Sequence, residues 1–537
     1  MRITSKMMND NSLYNINNNK AYQDKLNTQM ATQKKFNDPS DDPISAIRSL
    51  RFRSSLAEIN QYLERNVSDA VSWVDSSQTA IDTALDLMRS LKSEYVAGAN
   101  GDKKTTEDRK VYLKNMRSLQ EEYYAVGNST NEDRYMFTGY RTGDALTFTA
   151  DNMKVRQAAL GNEKDDPFKY QGIVENFDAD DIEDYAYTYK KNSGGTPEAS
   201  GLTNSDITSL SSVNETDIVN NKQYRLRLAY KNIEGDANKD KEYKYGDADN
   251  NTFTSYKLEL RKKDGSISSS YSVEVIENDY EANLEEGTAK VYLNKTTGNL
   301  IFNSKVREEL VKTDHYTFTY DKNFTASDVG ELKPEHYFYC TDTALGSGNK
   351  ITYEEYAQQI DCTIGNSQHV KINTNAQDAF MPDIGRDLDE LEDALNAVDA
   401  AQAKVDTLKK MQEDKVKYPE GSEDAQKIEK MLAAAEKELD YDTAKVEEIF
   451  SKGITKAQSY FDKVNLAGTT NGTVAQRLTL VQNRLTDNQF TVKAQASDNE
   501  NIELSSLAVE VSEASLSYNA ALMVTGKISQ QSLVNYI

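Results

Sequence analysis

The stretch Leu504-Ser505-Ser506-Leu507-Ala508-Val509-Glu510-Val511-Ser512-Glu513-Ala514-Ser515-Leu516 decides how this chain is organised. Its apolar residues recur every three or four positions, and the repeat runs on as Leu504, Leu507, Val511, Ala514, Tyr518, Ala521, Thr525 and Ile528. That spacing is one face of an α-helix. A second stripe, Val509, Leu516 and Met523, returns every seven residues on another side. One helix with two apolar stripes has two sets of neighbours. Were residues 473–537 helical throughout, they would span roughly 100 Å.

The opposite end of the chain has the matching character. Residues 1–36 hold six Lys/Arg and two Asp/Glu, whereas residues 500–537 hold four Glu and one Lys. A basic helix with Leu13, Ile16, Leu26 and Met30 can pair lengthwise with an acidic, apolar-striped one, because neither stripe is buried alone. Between them, Leu56, Ile59, Leu63, Ala70, Trp73, Ala80, Ala84, Leu87 and Leu91 repeat at helical spacing, with Val67, Val71, Val74, Ile81, Leu85 and Met88 widening the face. Gly98-Ala99-Asn100-Gly101 reads as a join to a second helix that begins after Thr105-Thr106-Glu107.

Beyond Gly139 the period changes to two. Tyr224–Tyr230, Tyr256–Leu260 and Tyr271–Val275 alternate, and Lys263-Asp264-Gly265 and Thr296-Thr297-Gly298-Asn299 fall between such runs as hairpin turns. Residues 150–379 therefore read as an antiparallel β domain. Helix returns with Leu388, Leu391, Leu395 and Val398, breaks at Tyr418-Pro419-Glu420-Gly421 and resumes at Ile428, Met431, Ala435 and Leu439, which predicts an extra helical hairpin near residues 400–435. The expected class is α+β: a long helical rod built from both ends of the chain, with an inserted antiparallel β domain.

Composition agrees with long thin helices. Counted with Gly in place of Tyr, about 36% of the 537 residues are apolar, against about 45–50% in an average soluble domain. There are 7 prolines where average usage of ~5% gives about 27. The formal charge of −24 argues against a nucleic-acid partner, and the apolar runs fall far short of the ~20 residues of a membrane helix. The N-terminus has no apolar core of a secretory signal.

No catalytic constellation is present. There is no phosphate-binding Gly loop, no Cys-x-x-Cys and no His-Glu-x-x-His, and His315, His336 and His369 each lack a second His at ligand spacing. Asp236-Ala237-Asn238-Lys239-Asp240 starts like a calcium loop, but Lys241 stands where Gly is needed and Asp247 where the bidentate Glu belongs. Cys340 and Cys362 are compatible with a disulfide or with two buried thiols. No cofactor and no metal ligand set is expected.

Asn37-Asp38-Pro39-Ser40-Asp41-Asp42-Pro43 has a local mechanism. Pro39 and Pro43 turn the residues before them away from helix, and Ser40 or Asp41 is placed to cap a helix that starts near Pro43. It reads as a sharp joint between the basic terminal helix and the main rod.

These residues also carry a resemblance. Met1-Arg2-Ile3-Thr4, the Asn/Gln-rich helix through Leu13 and Ile16, and the Pro39–Pro43 joint resemble the start of the flagellin superfamily, and within it the junction branch rather than the filament subunits. Gln61-Tyr62, Asn66, the Gly98–Gly101 turn, Arg109, Tyr135-Met136-Phe137-Thr138-Gly139-Tyr140 and the closing run from Ile528 through Leu533 to Tyr536-Ile537 continue it. The resemblance covers about 150 residues at the front and 70 at the back, and it implies a structural part of the bacterial flagellum with no catalysis. It implies terminal helices of an inner tube at 1–40 and 500–537, a rod at 41–149 and 380–499, and an outward-facing β domain at 150–379. Leu13, Ile16, Leu26, Met30, Leu507, Val511, Tyr518, Leu522, Ile528, Leu533 and Tyr536 would then pack subunits. The implied partners are the first hook-associated protein, flagellin, identical subunits in a ring, and the export chaperone and export apparatus, with secretion through the flagellar channel to the cell exterior. Two alternatives are a filament subunit and a flagellin-like protein whose Tyr-rich β domain binds a surface ligand as an adhesin does.

Overall fold

A computed structural model describes residues 5–100, 105–161, 166–234, 256–263, 265–282, 284, 288–346, 349–354 and 357–531. The class is α+β. In chain order the helices are α1 (Ser5–Thr32), α2 (Pro43–Gln61), α3 (Ser68–Ala99), α4 (Thr106–Gly127), α5 (Ala150–Leu160), α6 (Asn204–Ser209), α7 (Ser304–Leu310), α8 (Ala376–Ala379), α9 (Asp383–Glu413), α10 (Glu423–Glu500) and α11 (Leu504–Gln531). A π turn, Tyr62–Val67, lies between α2 and α3. The Asp42 side chain caps α2 and Pro43 occupies its first position, where a missing N–H costs nothing. Thr105 and Asp108 close a capping box on α4.

The chain divides into two compact units. One comprises Met1–Val71, Cys362–Val370 and Ala475–Ile537, and is called here the terminal unit. The other comprises Ser72–Asp361 and Lys371–Val474, and is called the sheet unit. The boundaries expected at residues 40, 149, 379 and 499 do not coincide with this division. The Pro39–Pro43 segment lies inside the terminal unit, as a bend between α1 and α2.

The strands are β1 (Thr130–Asn131), β2 (Arg134–Tyr135), β3 (Phe168–Phe177), β4 (Glu183–Lys191), β5 (Pro197–Ala199), β6 (Ile218–Arg227), β7 (Lys257–Arg261), β8 (Ile267–Ile276), β9 (Val291–Asn294), β10 (Asn299–Phe302), β11 (His315–Phe324), β12 (Tyr339–Asp342), β13 (Ile351–Tyr353), β14 (Asp361–Gly365) and β15 (Gln368–Lys371). Among the described residues, eleven strands of the sheet unit form one sheet in the order β13-β12-β3-β11-β7-β8-β9-β10-β6-β4-β5. Its strand pairings are antiparallel except for β8 with β9, where Val273 to Ile276 run parallel to Val291 to Asn294. The first half of β8 pairs with β7 and the second half with β9, so this strand passes the chain from one ladder to the other. The antiparallel β domain read from the sequence is present, and it includes this one parallel pair.

The two predicted hairpin turns are present. Gly265 (φ +80°) closes β7 to β8. Asn294 Oδ1 accepts from the N–H groups of Thr296 (3.0 Å) and Thr297 (3.2 Å) between β9 and β10. There Gly298 (φ +66°) is required twice over, because a Cβ would stand 2.2 Å from the Tyr230 carbonyl oxygen. Gly98 serves a different purpose from the turn read in the sequence. It lies within α3, and a Cβ there would meet the Phe450 ring at 2.1 Å, while Gly453 leaves the same room for the Tyr95 ring. The pair lets α3 and α10 approach closely.

Two large cores hold the sheet unit. Trp73, Ile81, Met88, Leu91, Tyr123, Phe137, Phe380, Leu388 and Phe450 belong to the helical one, and Phe148, Tyr170, Leu258, Leu293, Phe302, Phe318, Tyr320 and Phe324 to the sheet's own. The predicted hairpin of α9 and α10 packs Val405, Leu408, Ile428 and Met431 against Leu202, Ile207 and Ile218. A buried ionic network ties sheet to helices. Arg225 bridges Glu183 (2.6 Å) and Glu390 (2.7 Å), Arg227 meets Asp387 (2.6 Å), and Lys456 joins Asp387 (2.9 Å) to Glu183 (2.6 Å). Cys340 is buried in β12 and Cys362 lies on β14, both as free thiols. His315 opens β11, His336 is buried in the turn Pro334–His336 and His369 sits on β15. The run Asp236–Asp247 lies outside the described residues.

Candidate assembly surface

The terminal unit is built on a pair of 28-residue helices. Antiparallel α1 and α11 bury Leu26, Leu507 and Ala514 together, with Ile502 and Val511 packed at their edge. Ile16 is buried and Tyr518 half-buried. Leu13, Met30 and Leu522 are exposed, because two helices cover only one arc of each other and these residues lie on the open arc. The side chain of Ile528, and Leu533 and Tyr536 entirely, fall outside the described residues.

The second stripe remains open. Val509, Leu516 and Met523 are all exposed, as are Met7, Met8, Tyr14 and Tyr22 on α1. A helix pair with so much uncovered apolar surface has places for more neighbours.

The residues 473–537 do not form one helix. Lys35 donates its N–H to the Glu500 carbonyl (2.7 Å) and Ile502 to the Gln33 carbonyl (3.2 Å), while Lys34 and Asn501 form an antiparallel bridge. This small ladder takes the backbone groups that a continuing helix would have used, so α10 ends at Glu500 and α11 starts afresh at Leu504.

Glu500 is the centre of the bend. Its carboxylate accepts from Lys34 Nζ (2.9 Å), from Arg53 Nε and Nη2 (3.1 Å each) and from the Ser49 hydroxyl. Hydrogen bonds from Arg53 first, then from Ser49 and Lys34, outweigh its burial and hold the carboxyl down at about 2. Asn499 Nδ2 adds a bond to the Ser45 carbonyl (2.9 Å), and Gln489 Nε2 one to Asn60 (2.7 Å). One acid thus ties α10 to α2 and to the segment after α1. The sequence reading counted Glu500 only as part of a charge balance. The signal that pointed to it is the polar run Asp498-Asn499-Glu500-Asn501, which interrupts two helical repeats.

The joint differs from its reading in one residue. Asp42, not Ser40 or Asp41, caps α2: its Oδ1 accepts from the N–H groups of Ile44 and Ser45, both at 3.1 Å. Only the residue directly before Pro43 has the extended backbone that aims a side chain back at the first turn. Asp41 instead accepts from Asn37 (3.2 Å) and Asp38 (3.3 Å), folding the preceding turn on itself, and those bonds lower its pKa.

Hairpin β14–β15 adds one more contact within this unit. Asn66, in the π turn, donates from Nδ2 to the Thr363 carbonyl (2.8 Å), and its own carbonyl accepts from the Cys362 thiol (3.2 Å). A π turn frees a carbonyl from the helix ladder, and here a thiol satisfies it.

Among known proteins, residues 3–142 match the family described as the bacterial flagellin N-terminal helical region. Over 145 residues the chain is 31% identical to flagellar hook-associated protein 3 of Salmonella typhimurium, covering 26% of this chain and 44% of that one. Over 148 residues it is 30% identical to flagellar hook-associated protein 3 of Escherichia coli, covering 27% and 45%. The chain thus spans less than half the length of these curated relatives. A solved structure of FlgL from Xanthomonas campestris aligns with 83% of this chain and 99% of its own, at 11% identity and a TM-score of 0.30. The resemblance read from the front of the sequence is therefore one to the hook-associated proteins of the flagellin superfamily.

Proposed function

We propose that this protein is a structural part of the bacterial flagellum that joins the hook side to the filament by helix packing. The observation that carries the reading is the match of residues 3–142 to the flagellin N-terminal region, together with 31% and 30% identity to two hook-associated proteins over 145 and 148 residues. The open apolar stripes of α1 and α11 supply what such a role requires, a surface that neighbours complete. In this reading Leu13, Ile16, Leu26, Met30, Leu507, Val511, Tyr518, Leu522, Ile528, Leu533 and Tyr536 lie in contacts within and between subunits, and Pro39–Pro43 sets the bend. Identical subunits form a ring, the first hook-associated protein meets one end and flagellin the other, and the β domain at 150–379 faces outward. The chain reaches this place through the flagellar export apparatus, accompanied by an export chaperone.

A closed layer needs two unlike axial faces, whereas a filament subunit needs its top to match its own bottom. Immunogold labelling of intact cells separates the two. A single cluster of label per flagellum, between hook and filament, is the expected result, and deletion should leave hooks without filaments and flagellin in the medium. Label along the whole filament would make the protein a flagellin, and label away from the flagellum would overturn the reading.

A further inference from the structure

Two exposed faces of the terminal unit complement each other in length, apolarity and charge. On α2, Ile44 (66% exposed), Ile47 (53%) and Leu50 (66%) share one side with Arg48 and Arg51 interleaved. On α11, Val509 (57%) and Leu516 (72%) share one side with Glu513, and Glu510 lies at its margin. The apolar set on α2 covers six residue steps, roughly 9 Å, and the one on α11 seven, roughly 10.5 Å. Among the described residues Arg48, Arg51, Glu510 and Glu513 form no salt bridge, although Arg48 is near enough to the Asp42 carboxylate to help lower its pKa. Both faces are exposed in one molecule, so they do not meet within a copy.

We infer that these are the two halves of one contact between copies: the Val509–Leu516 face of α11 in one molecule docks on the Ile44–Leu50 face of α2 in the next, with Glu510 and Glu513 against Arg48 and Arg51. This deepens the proposed role, because it rests on the terminal unit being the part that neighbours complete. Two different patches make a heterologous contact, and a heterologous contact repeats around a ring or along a helix instead of ending at a dimer. A single helix-on-helix contact of this length buries well below the ~800 Å² per partner of a stable pair. It gains strength by repetition, and salt weakens its charged component.

The test uses full-length protein with Cys362→Ser to remove the half-buried thiol. One preparation carries Ile47→Cys and the other Val509→Cys; each reduced preparation alone, and an equal mixture of the two, is then treated with a copper–phenanthroline oxidant, which takes the two electrons as the two thiols lose their protons and join. The mixture should give cross-linked pairs at least tenfold above either preparation alone. Arg48→Glu with Arg51→Glu on the first, or Glu510→Lys with Glu513→Lys on the second, should cut that yield at least fivefold, and both reversals together should restore it. Far-UV circular dichroism confirms that each variant keeps its helix content. Equal cross-linking of each preparation with itself, or a yield indifferent to the charge reversals, would overturn the inference. A protein located elsewhere than the junction would leave this cross-link unchanged, so the two readings fail separately.

Discussion

The terminal unit and the sheet unit of one chain are put together on opposite terms. Of the 63 basic and 87 acidic side chains, the terminal unit holds 14 of each, which leaves the sheet unit 49 and 73 and the entire formal charge of −24. The sheet unit buries dozens of apolar side chains in two cores, whereas the helix pair of the terminal unit encloses Leu26, Leu507 and Ala514. A neutral region with open apolar stripes can crowd against copies of itself without repulsion. A region carrying −24 keeps its neighbours at a distance and stays soluble. One part of the molecule encloses its apolar side chains and the other leaves stripes of them open.

Hydrogen exchange offers the hardest test of that contrast. Burying Leu26 and Leu507 supplies on the order of 5 kcal/mol, which is small beside the entropy of ordering two 28-residue helices. In verified monomer, amides of α1 and α11 should exchange at least a thousandfold faster than those of β3, β11 and β10, and should slow on assembly. Comparable protection at both places would mean that the terminal unit is self-sufficient.

A smaller but more local effect is expected from Leu507→Asp with Val511→Asp. Leu507 is fully buried against Leu26, so a carboxylate there costs several kcal/mol unless the helices separate. The double variant should fail to assemble while the near-ultraviolet signal of the Tyr-rich sheet core stays unchanged. Continued filament growth in cells would remove the stripe from the contact, and loss of the sheet signal would show that the two regions depend on each other.

What could be read in the sequence, and what could not, follows the same division. The periods of Leu56–Leu91, Tyr224–Tyr230 and Leu504–Ile528 gave helix, strand and helix correctly, because regular spacing is a local property. The joint was legible as a joint from its two prolines, and its cap was misassigned by one or two residues because three neighbouring side chains can all cap. The polar run around Glu500 marks a break in the helix, but the partners that make it the centre of the bend were out of reach: Ser49 and Arg53 lie 451 and 447 positions away. The parallel pairing of β8 with β9 was missed for a related reason, since alternation reports which residues face the core and not which strand lies alongside. Gly98 read as punctuation, although its need arises from Phe450 on another helix.

The finest distinction between the units is in their response to pH. Glu500, held at about 2 against about 4.3 for an unfolded glutamate, is a depressed carboxyl. It stabilises the bend above the unfolded value, and that contribution disappears as the pH falls from about 5 through 2. Because Lys34 and Arg53 are themselves largely exposed, solvent reduces the effect to about 1–2 kcal/mol. Glu175 in the sheet unit has the opposite sign. Burial pushes it up to about 8, with Tyr320 and the Ala229 N–H (3.0 Å) as its partners, so its contribution is complete below the unfolded value and is lost as the pH rises toward 8. Glu183, pulled down to about 2 with Arg225 the leading cause against its burial, gives the sheet unit an acid limb as well, so only the alkaline limb tells the units apart. Glu500→Gln should cost about 1 kcal/mol at neutral pH and flatten the acid response of proteolysis at residues 501–503, with the sheet unit's alkaline limb unmoved. An unchanged acid slope in that variant would take Glu500 out of the bend's energetics and leave the backbone ladder of Gln33–Lys35 with Glu500–Ile502 to hold the bend between α10 and α11.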